Sequence, residues 1–595
     1  MLQAVKTKRG SRQQIANTHS LPAPIGGWNA RDSLALMKET EAAALENWFP
    51  TTTDLQLRKG YTIACSGLSG TTQTIMAYNP PGAATALFAV TSAGDLYDIT
   101  SGTASLKVFG LANGQWQYIS FGTSAGNYLL AANGSDNMLR YDGTRWISIA
   151  LAAGVAITGI VGGGVTAVVT TATPHGLQTG NNVTIAGCTL ASAALNGSYQ
   201  ITKLTATTFS YLNGFVGPAT GAPTYTVNAG EFISGIDPKS IITLNAFKQR
   251  IWLITKNSLS AWYMGAASIA GAATEFPLSS FFLSGGLIKS MATWTIDVGV
   301  GIDDNAVFIS SEGEVLVYKG TDPTAPATFA LVGLFRMGNP VGTRCQIKYL
   351  GDVYVITDSG VSPLSSSILT AQVTLKSDLS DKIQLAISAA ISLTKTTFGW
   401  QLIPYPSQNM LIVNAPASGM NYQFAMNTIT GAWCKFTGWN ASCWESQGAN
   451  IYFGYTGGVA LAWSSTTDNG SSIIADVLPA FNYFGARGRT KHFKAARPTL
   501  ITDGVPTLLG SMNVDYDTTA PTGSLSYVAP SSGMVWGSMV WGSMIWGGQT
   551  SIQKGWQYAG GVGYCGSFHF KCQNNGSNVR WESIDYLEEE GGVIG

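Results

Sequence analysis

AVFISSEGEVLVYKG, residues 306–320, is the stretch on which the fold turns. Val307 and Ile309 project to one side and Phe308 to the other. Ser311-Glu312-Gly313 then forms a tight reversal, and Val315-Leu316-Val317-Tyr318 returns with the same alternation. A period of two, β-branched and aromatic content and a glycine turn specify a β-hairpin. The pattern recurs as LFAVTSAGDLYDI (87–99), YLLAANGSDNMLRYDG (128–143), RIWLITKNSLSAWYM (250–264), DVYVITDSGVSPL (352–364) and NIYFGYTGGVALAW (450–463). A longer relative runs from MLIVN (410–414) to NTITGAWCKF (427–436). With one insertion removed, the units start roughly 40 to 60 residues apart, about the size of a four-stranded blade. One hairpin alone is only marginally stable, so the units must stack to bury their faces. The expected fold is all-β, with a β-propeller body.

Composition agrees with this. Hydrophobic residues make up 45% of the chain and there are 70 glycines, against 11% charged residues. Little charge and many turn residues fit a β-rich protein that hides surface in an assembly. The 33 basic and 33 acidic residues cancel, which argues against a protein that grips nucleic acid by neutralising phosphates. Cys65, Cys188, Cys345, Cys434, Cys443, Cys565 and Cys572 are scattered without a C-x-x-C spacing. With only four histidines no metal site is legible, and free, mostly buried thiols folding in a reducing cytoplasm are expected. The basic start (Lys6, Lys8, Arg9, Arg12) is followed by no apolar core, so no secretory signal is read there. The uncharged run 147–173 is interrupted by Gly162-Gly163-Gly164 and alternates as VTAVVTTAT, the pattern of turn and strand, not of a membrane helix.

Five regions follow. Residues 1–60 read as an N-terminal arm and a short helix, capped by Thr40, with Ala42, Leu45 and Trp48 on one face and Pro50 as its stop. Residues 61–154 carry the first blades and residues 228–480 the remaining ones. Between them, residues 155–227 change character to Thr, Gly and Ala with almost no charge, and read as an inserted small β module. In it His175, between Pro174 and Gly176, reads as a turn residue. LSDKIQLAISAAISL (379–393) has helical spacing, with Leu379, Ile383, Ile387 and Ala390 on one face. Residues 481–595 form a C-terminal β domain.

Two parts of the chain carry a family resemblance. Gly26–Tyr61, GGWNARDSLALMKETEAAALENWFPTTTDLQLRKGY, has a GG-x-N opening, an acidic stretch ending in LENWFP, and an LRKGY strand. The C-terminal region repeats a pentad in MVWGS-MVWGS-MIWGG (534–548) and ends near VRWESIDYLEEEGG. In order and residue type these resemble the tail nozzle proteins of short-tailed bacteriophages (podoviruses), also called tail tubular protein B or packaged-DNA stabilisation proteins. The resemblance implies a structural virion protein of the distal tail tube and no enzyme. It implies a homo-hexameric ring below a tail adaptor ring, offering its outer side to tail fibres or spikes. It also implies a conduit for genomic DNA that passes without tight binding, assembled in the host cytoplasm.

Searching the residues for chemistry returns no catalytic set, no metal site and no cofactor site. Thr466–Ile473 approximates an Asp-box turn, in one imperfect copy. Asp303-Asp304 and Asp515/Asp517 are carboxylate pairs in sequence only, whereas glycoside hydrolysis needs two carboxylates across a cleft. A carbohydrate-binding or glycan-cleaving propeller on the virion is therefore the alternative expectation. The candidate interface residues are Arg487, Arg489, Lys491, Lys494 and Arg497, interleaved with Phe484 and Phe493, and the pentad tryptophans Trp536, Trp541 and Trp546. Arginine with aromatics is favoured at interface cores. The acidic run Glu588-Glu589-Glu590 is a solvated tail or the partner of such a cluster in a neighbouring subunit.

Overall fold

A computed structural model describes residues 16–297, 302–325, 327–366, 378–526 and 551–591. The pentads, with Trp536, Trp541 and Trp546, lie outside the described residues. The chain divides into two compact units, one holding Thr62–Gln423 and Asn440–Ala462, the other Met1–Tyr61, Phe424–Trp439 and Trp463–Gly595.

In the first unit the quoted hairpin forms as expected. Ile302–Ser310 pairs antiparallel with Glu314–Gly320, with Val307 opposite Val317, Phe308 opposite Leu316 and Ile309 opposite Val315. Gly313 closes the turn at φ +75°, where a Cβ would meet the Met337 carbonyl oxygen at 2.3 Å. Ile288–Asp297 and Phe329–Arg336 complete a four-stranded meander. Both faces are buried. Val307, Ile309, Val315 and Val317 pack with Trp294, Val353 and Val355, while Phe308, Leu316 and Tyr318 pack with Phe247, Trp252 and Tyr263. Burial on both sides explains why these strands read as nearly continuous apolar runs.

The same logic repeats around the unit. Meanders span Gln117–Leu151, Ile241–Pro277 and Ile288–Arg336, and a three-stranded one spans Gln346–Pro363. Gly60–Tyr78, Ala86–Thr91, Leu96–Asp98 and Ser105–Val108 lie side by side in a further sheet. Each apolar cluster joins the facing sides of two successive meanders. The first strands neighbour one another in turn: Gln117–Thr123, Ile241–Phe247, Ile288–Asp297, Gln346–Tyr349, Gln401–Tyr405 and Cys443–Gln447. Meanders stacked face to face with their first strands gathered centrally constitute a β-propeller body. The helix Gln384–Thr394 packs against the strand Gly360–Pro363 and buries Ile387, Ala390 and Ile391.

Residues 157–227 form their own seven-stranded sheet around Ile160, Val169, Val183, Ile185, Phe209 and Tyr211. Its entry and exit meet, since Gly154 N–H donates to the Tyr225 carbonyl at 3.1 Å and Val227 N–H to the Ala152 carbonyl at 2.9 Å. His175 is buried in the irregular segment 174–178; its Nδ1 accepts the Leu177 N–H at 3.1 Å, and burial draws its pKa down.

The second unit corrects two expectations for residues 1–60. Ala16–Pro22 is a strand paired with the C-terminal strand Val579–Glu590, not part of a free arm. Residues 41–50 are strands, Glu41–Glu46 and Trp48–Pro50, and not a helix. Ala42, Leu45 and Trp48 are all buried, but their spacing of three comes from interrupted alternation. The ladder to Ile473–Pro479 shifts register between Ala42 and Ala44, and Asn47 takes a left-handed φ of +59°. Each irregularity inserts a residue into the period of two, which imitates a helical stripe. The flanking strands provide the tertiary partners that override the local helix preference. All seven cysteines are free and buried.

Candidate functional site

The basic cluster lies along the strand Lys491–Thr502, and its partner is the acidic end of the same chain. Lys491–Thr502 runs antiparallel to Val579–Glu590, with Lys491 opposite Glu590, Phe493 opposite Glu588 and Arg497 opposite Asp585. Arg489 bonds Glu590 at 2.8 Å, Lys494 reaches Glu589 at 3.3 Å, and Arg497 bonds Asp585 at 2.6 Å. The Arg497 guanidinium also lies 4.8 Å from the Trp556 ring centre. Lys491 is fully buried, donating to the carbonyls of Ala486 at 2.6 Å and Tyr564 at 2.9 Å. Burial lowers its pKa, while Glu588 and Glu590 oppose the shift. Arg487 is exposed, 4.6 Å from the Tyr483 ring centre. These geometries place the carboxylate partners of Arg489, Lys494 and Arg497 in their own chain, not in a neighbour. The outermost pair, Arg489 with Glu590, is the most solvated and is worth only about 0.2–1 kcal/mol, whereas Arg497 meets a buried Asp585.

The Asp-box resemblance also has a structural explanation. Arg58, 2% exposed, uses all five guanidinium donors. Nη1 and Nη2 bind Asp468 side by side at 2.8 and 2.6 Å, and Nε binds the Asn47 side chain at 2.7 Å. The remaining donors go to the carbonyls of Lys59 and Thr437, and the plane stacks 5.0 Å from Trp439. Asp468 is thus the counter-ion of a buried arginine. Asp515 likewise has a structural partner, accepting the Tyr564 N–H of a distant turn at 2.7 Å. Among the described residues no group of three or more His, Cys, Asp or Glu is arranged to hold a metal.

The propeller body gathers a second polar cluster where its first strands converge. Arg344 Nη1 donates to the Gln73 carbonyl at 3.1 Å and to Gln401 Oε1 at 3.3 Å. Its Nη2 donates to Thr74 Oγ1 and to the Trp116 carbonyl, the latter at 2.9 Å. Gln401 accepts from Trp444 N–H at 3.0 Å and donates to the Trp444 carbonyl at 2.8 Å. One guanidinium therefore ties early strands to late ones, across sequence separations as large as 271 residues. Beside it, Tyr118 hydrogen-bonds Glu445 and accepts the Ala77 N–H at 3.3 Å. No sequence signal marked Arg344, Tyr118 or Glu445, because their partners are distant in the chain.

Burial pushes the Glu445 carboxyl up to about 7 from 4.5, against the pull of Tyr118, the Ser446 N–H and Arg344. A carboxyl that binds its proton more tightly when folded stabilises fully below its unfolded pKa and loses that contribution as pH rises through the folded value. Replacing Glu445 with Gln should therefore raise stability at pH ~8 relative to pH ~5, by on the order of 1 kcal/mol after allowance for partial exposure. Urea midpoints of both proteins across this range measure it. Parallel pH profiles would contradict the assignment.

No family model matches the chain, and no curated protein matches it. Among solved structures, the computationally designed Ika8 protein is 12% identical with a TM-score of 0.35, over 67% of this chain and 99% of its own. BBS1N, in complex with ARL6DN and soaked with mercury, is 11% identical with a TM-score of 0.32, over 68% of this chain and 96% of its own. The propeller assignment rests on strand order and packing, not on these similarities.

Proposed function

We propose that this chain is a structural protein of a short-tailed phage virion, forming the nozzle at the distal end of the tail tube. The observation that carries the reading is where the resembling segments meet. The LENWFP and LRKGY region contributes Trp48–Pro50 and Leu55–Leu57, and the WESIDYLEEE region contributes Val579–Glu590. Leu55–Leu57 pairs with Val579–Glu590, so the two parts that resemble the family build one sheet. A motif pair that closes one structural element is better support than either motif alone.

In this reading the subunit is one of six in a ring below an adaptor ring, with fibres or spikes on its outer side. The ring is a conduit. A tube through which a genome slides has to avoid tight phosphate contacts, since each neutralised phosphate adds affinity. The overall charge balance and the internal pairing of Arg489, Lys494 and Arg497 fit that requirement. Subunit contacts would hold the closed state and receptor engagement would shift its equilibrium, a mechanical function without catalysis. A glycan-cleaving propeller would need a second carboxylate facing Glu445 across a cleft. Class averages of the purified chain by electron microscopy test the proposal, with a six-fold ring around an axial channel as the expected result.

A further inference from the structure

We propose that the cavity between the Gln117–Leu151 meander and the inserted sheet is a binding site for the oxyanion of a small solute, a carboxylate or a phosphate. The cavity measures about 210 Å3, well above the roughly 10–15 Å3 that one water needs. Its polar lining comes from Lys203, Gln178, Ser148, Asn137, Asp136 and Lys239. A second cavity of about 170 Å3 shares Asn137 and Lys239 with it.

Lys203 is the starting point. It is the single Asp, Glu, Lys or Arg between residues 155 and 227, and it is 8% exposed. An ammonium buried on an otherwise uncharged module costs several kcal/mol unless its donors are satisfied. Its Nζ donates to the Phe109 carbonyl at 2.6 Å and to Gln178 Oε1 at 3.3 Å, and an ammonium has three donors. The bond to Gln178 fixes the orientation of that amide, whose NH2 remains for the cavity. Burial lowers the Lys203 pKa and Asp136 opposes the shift.

Ser148 provides the independent observation. It is completely buried and lines the cavity, yet its hydroxyl has no hydrogen-bond partner. Leaving such a group unpaired costs about 1–3 kcal/mol. Asp136 is already committed on one oxygen, which accepts the Ala112 N–H at 2.8 Å and the Asn133 amide at 2.7 Å. Two ammonium groups, a hydroxyl and an amide NH2 against one carboxylate make a lining rich in donors. Oxygen-rich anions are the complementary chemistry, and 210 Å3 limits the solute to a small one.

Isothermal titration of the full chain with inorganic phosphate and with D-glucuronate separates the two sources of oxyanion. Glucose and sodium chloride at matched ionic strength are the controls. Saturable binding of phosphate or glucuronate, absent for both controls, is expected. Ser148→Ala and Lys239→Ala should each weaken it by about tenfold. Neither side chain holds another part of the chain by a hydrogen bond in the structure, so Lys239→Ala should melt like the parent and Ser148→Ala, relieved of an unpaired hydroxyl, at or above it. If neither anion binds saturably, if glucose binds as well, or if both variants bind unchanged, the cavity holds water only and the proposal is overturned.

Discussion

Replacing Arg344 with Met will destabilise the chain by about 1–3 kcal/mol, the usual cost of leaving buried acceptors without their donor. The arginine donates to the carbonyls of Gln73 and Trp116, to Thr74 and to Gln401. Methionine keeps much of the aliphatic volume but removes every donor, so these acceptors lose their partner where water has poor access. The effect should be spread along the chain. Hydrogen exchange should quicken together in residues 72–78, 117–123, 401–405 and 443–447, whose strands the guanidinium links. Arg344→Lys should recover little, since one ammonium does not reproduce the planar fork. Urea unfolding gives the energy and exchange mass spectrometry gives its distribution. A loss confined to residues near 344, or below about 1 kcal/mol, would show a solvated surface arginine instead.

A larger loss, about 3–5 kcal/mol, is expected for Arg58→Met in the other unit, where a buried ion pair is broken. Removing the guanidinium leaves the Asp468 carboxylate without its bidentate partner and the Asn47 side chain without its donor. Asn47 also donates to Thr437 Oγ1 at 2.9 Å and to the Ile474 carbonyl at 2.7 Å, so faster exchange should extend to residues 41–50 and 433–437. The double variant Arg58→Met with Asp468→Leu removes both charges and should be more stable than Arg58→Met alone, because the single variant strands a charge. If the double variant were the less stable, the cost would lie in packing against Trp439 and not in the ion pair.

Local pattern carried the strands that bury both faces, because β-branched and aromatic residues on either side of the Ser311-Glu312-Gly313 turn arbitrate AVFISSEGEVLVYKG toward a hairpin. It also carried the helix at 384–394, where Ile387 and Ala390 are buried as their spacing requires, whereas Ile383 belongs to a short 3-10 turn before it and Leu379 to a turn, half-buried. Pattern failed at EAAALENWFP, where a register shift and the left-handed Asn47 disguised two strands as a helical stripe. The basic cluster was visible as composition. Its partners were not, because pairing Lys491–Thr502 with Val579–Glu590 is a register set by long-range contacts. Glu588-Glu589-Glu590 was legible as a possible partner, but whether in this chain or a neighbour depends on that register. Arg344 left no trace at all: a lone arginine in PVGTRCQIK looks like surface until strands far away in sequence are brought around it.

The assembly proposed for this chain is a nozzle ring. Electron-microscopy class averages of the purified full chain, alone and on purified tails, test it most directly. Six-fold rings around an axial channel are expected, formed by the chain itself or at the distal end of the tail. Monomers in every preparation, with no density added to the tail tip, would contradict it.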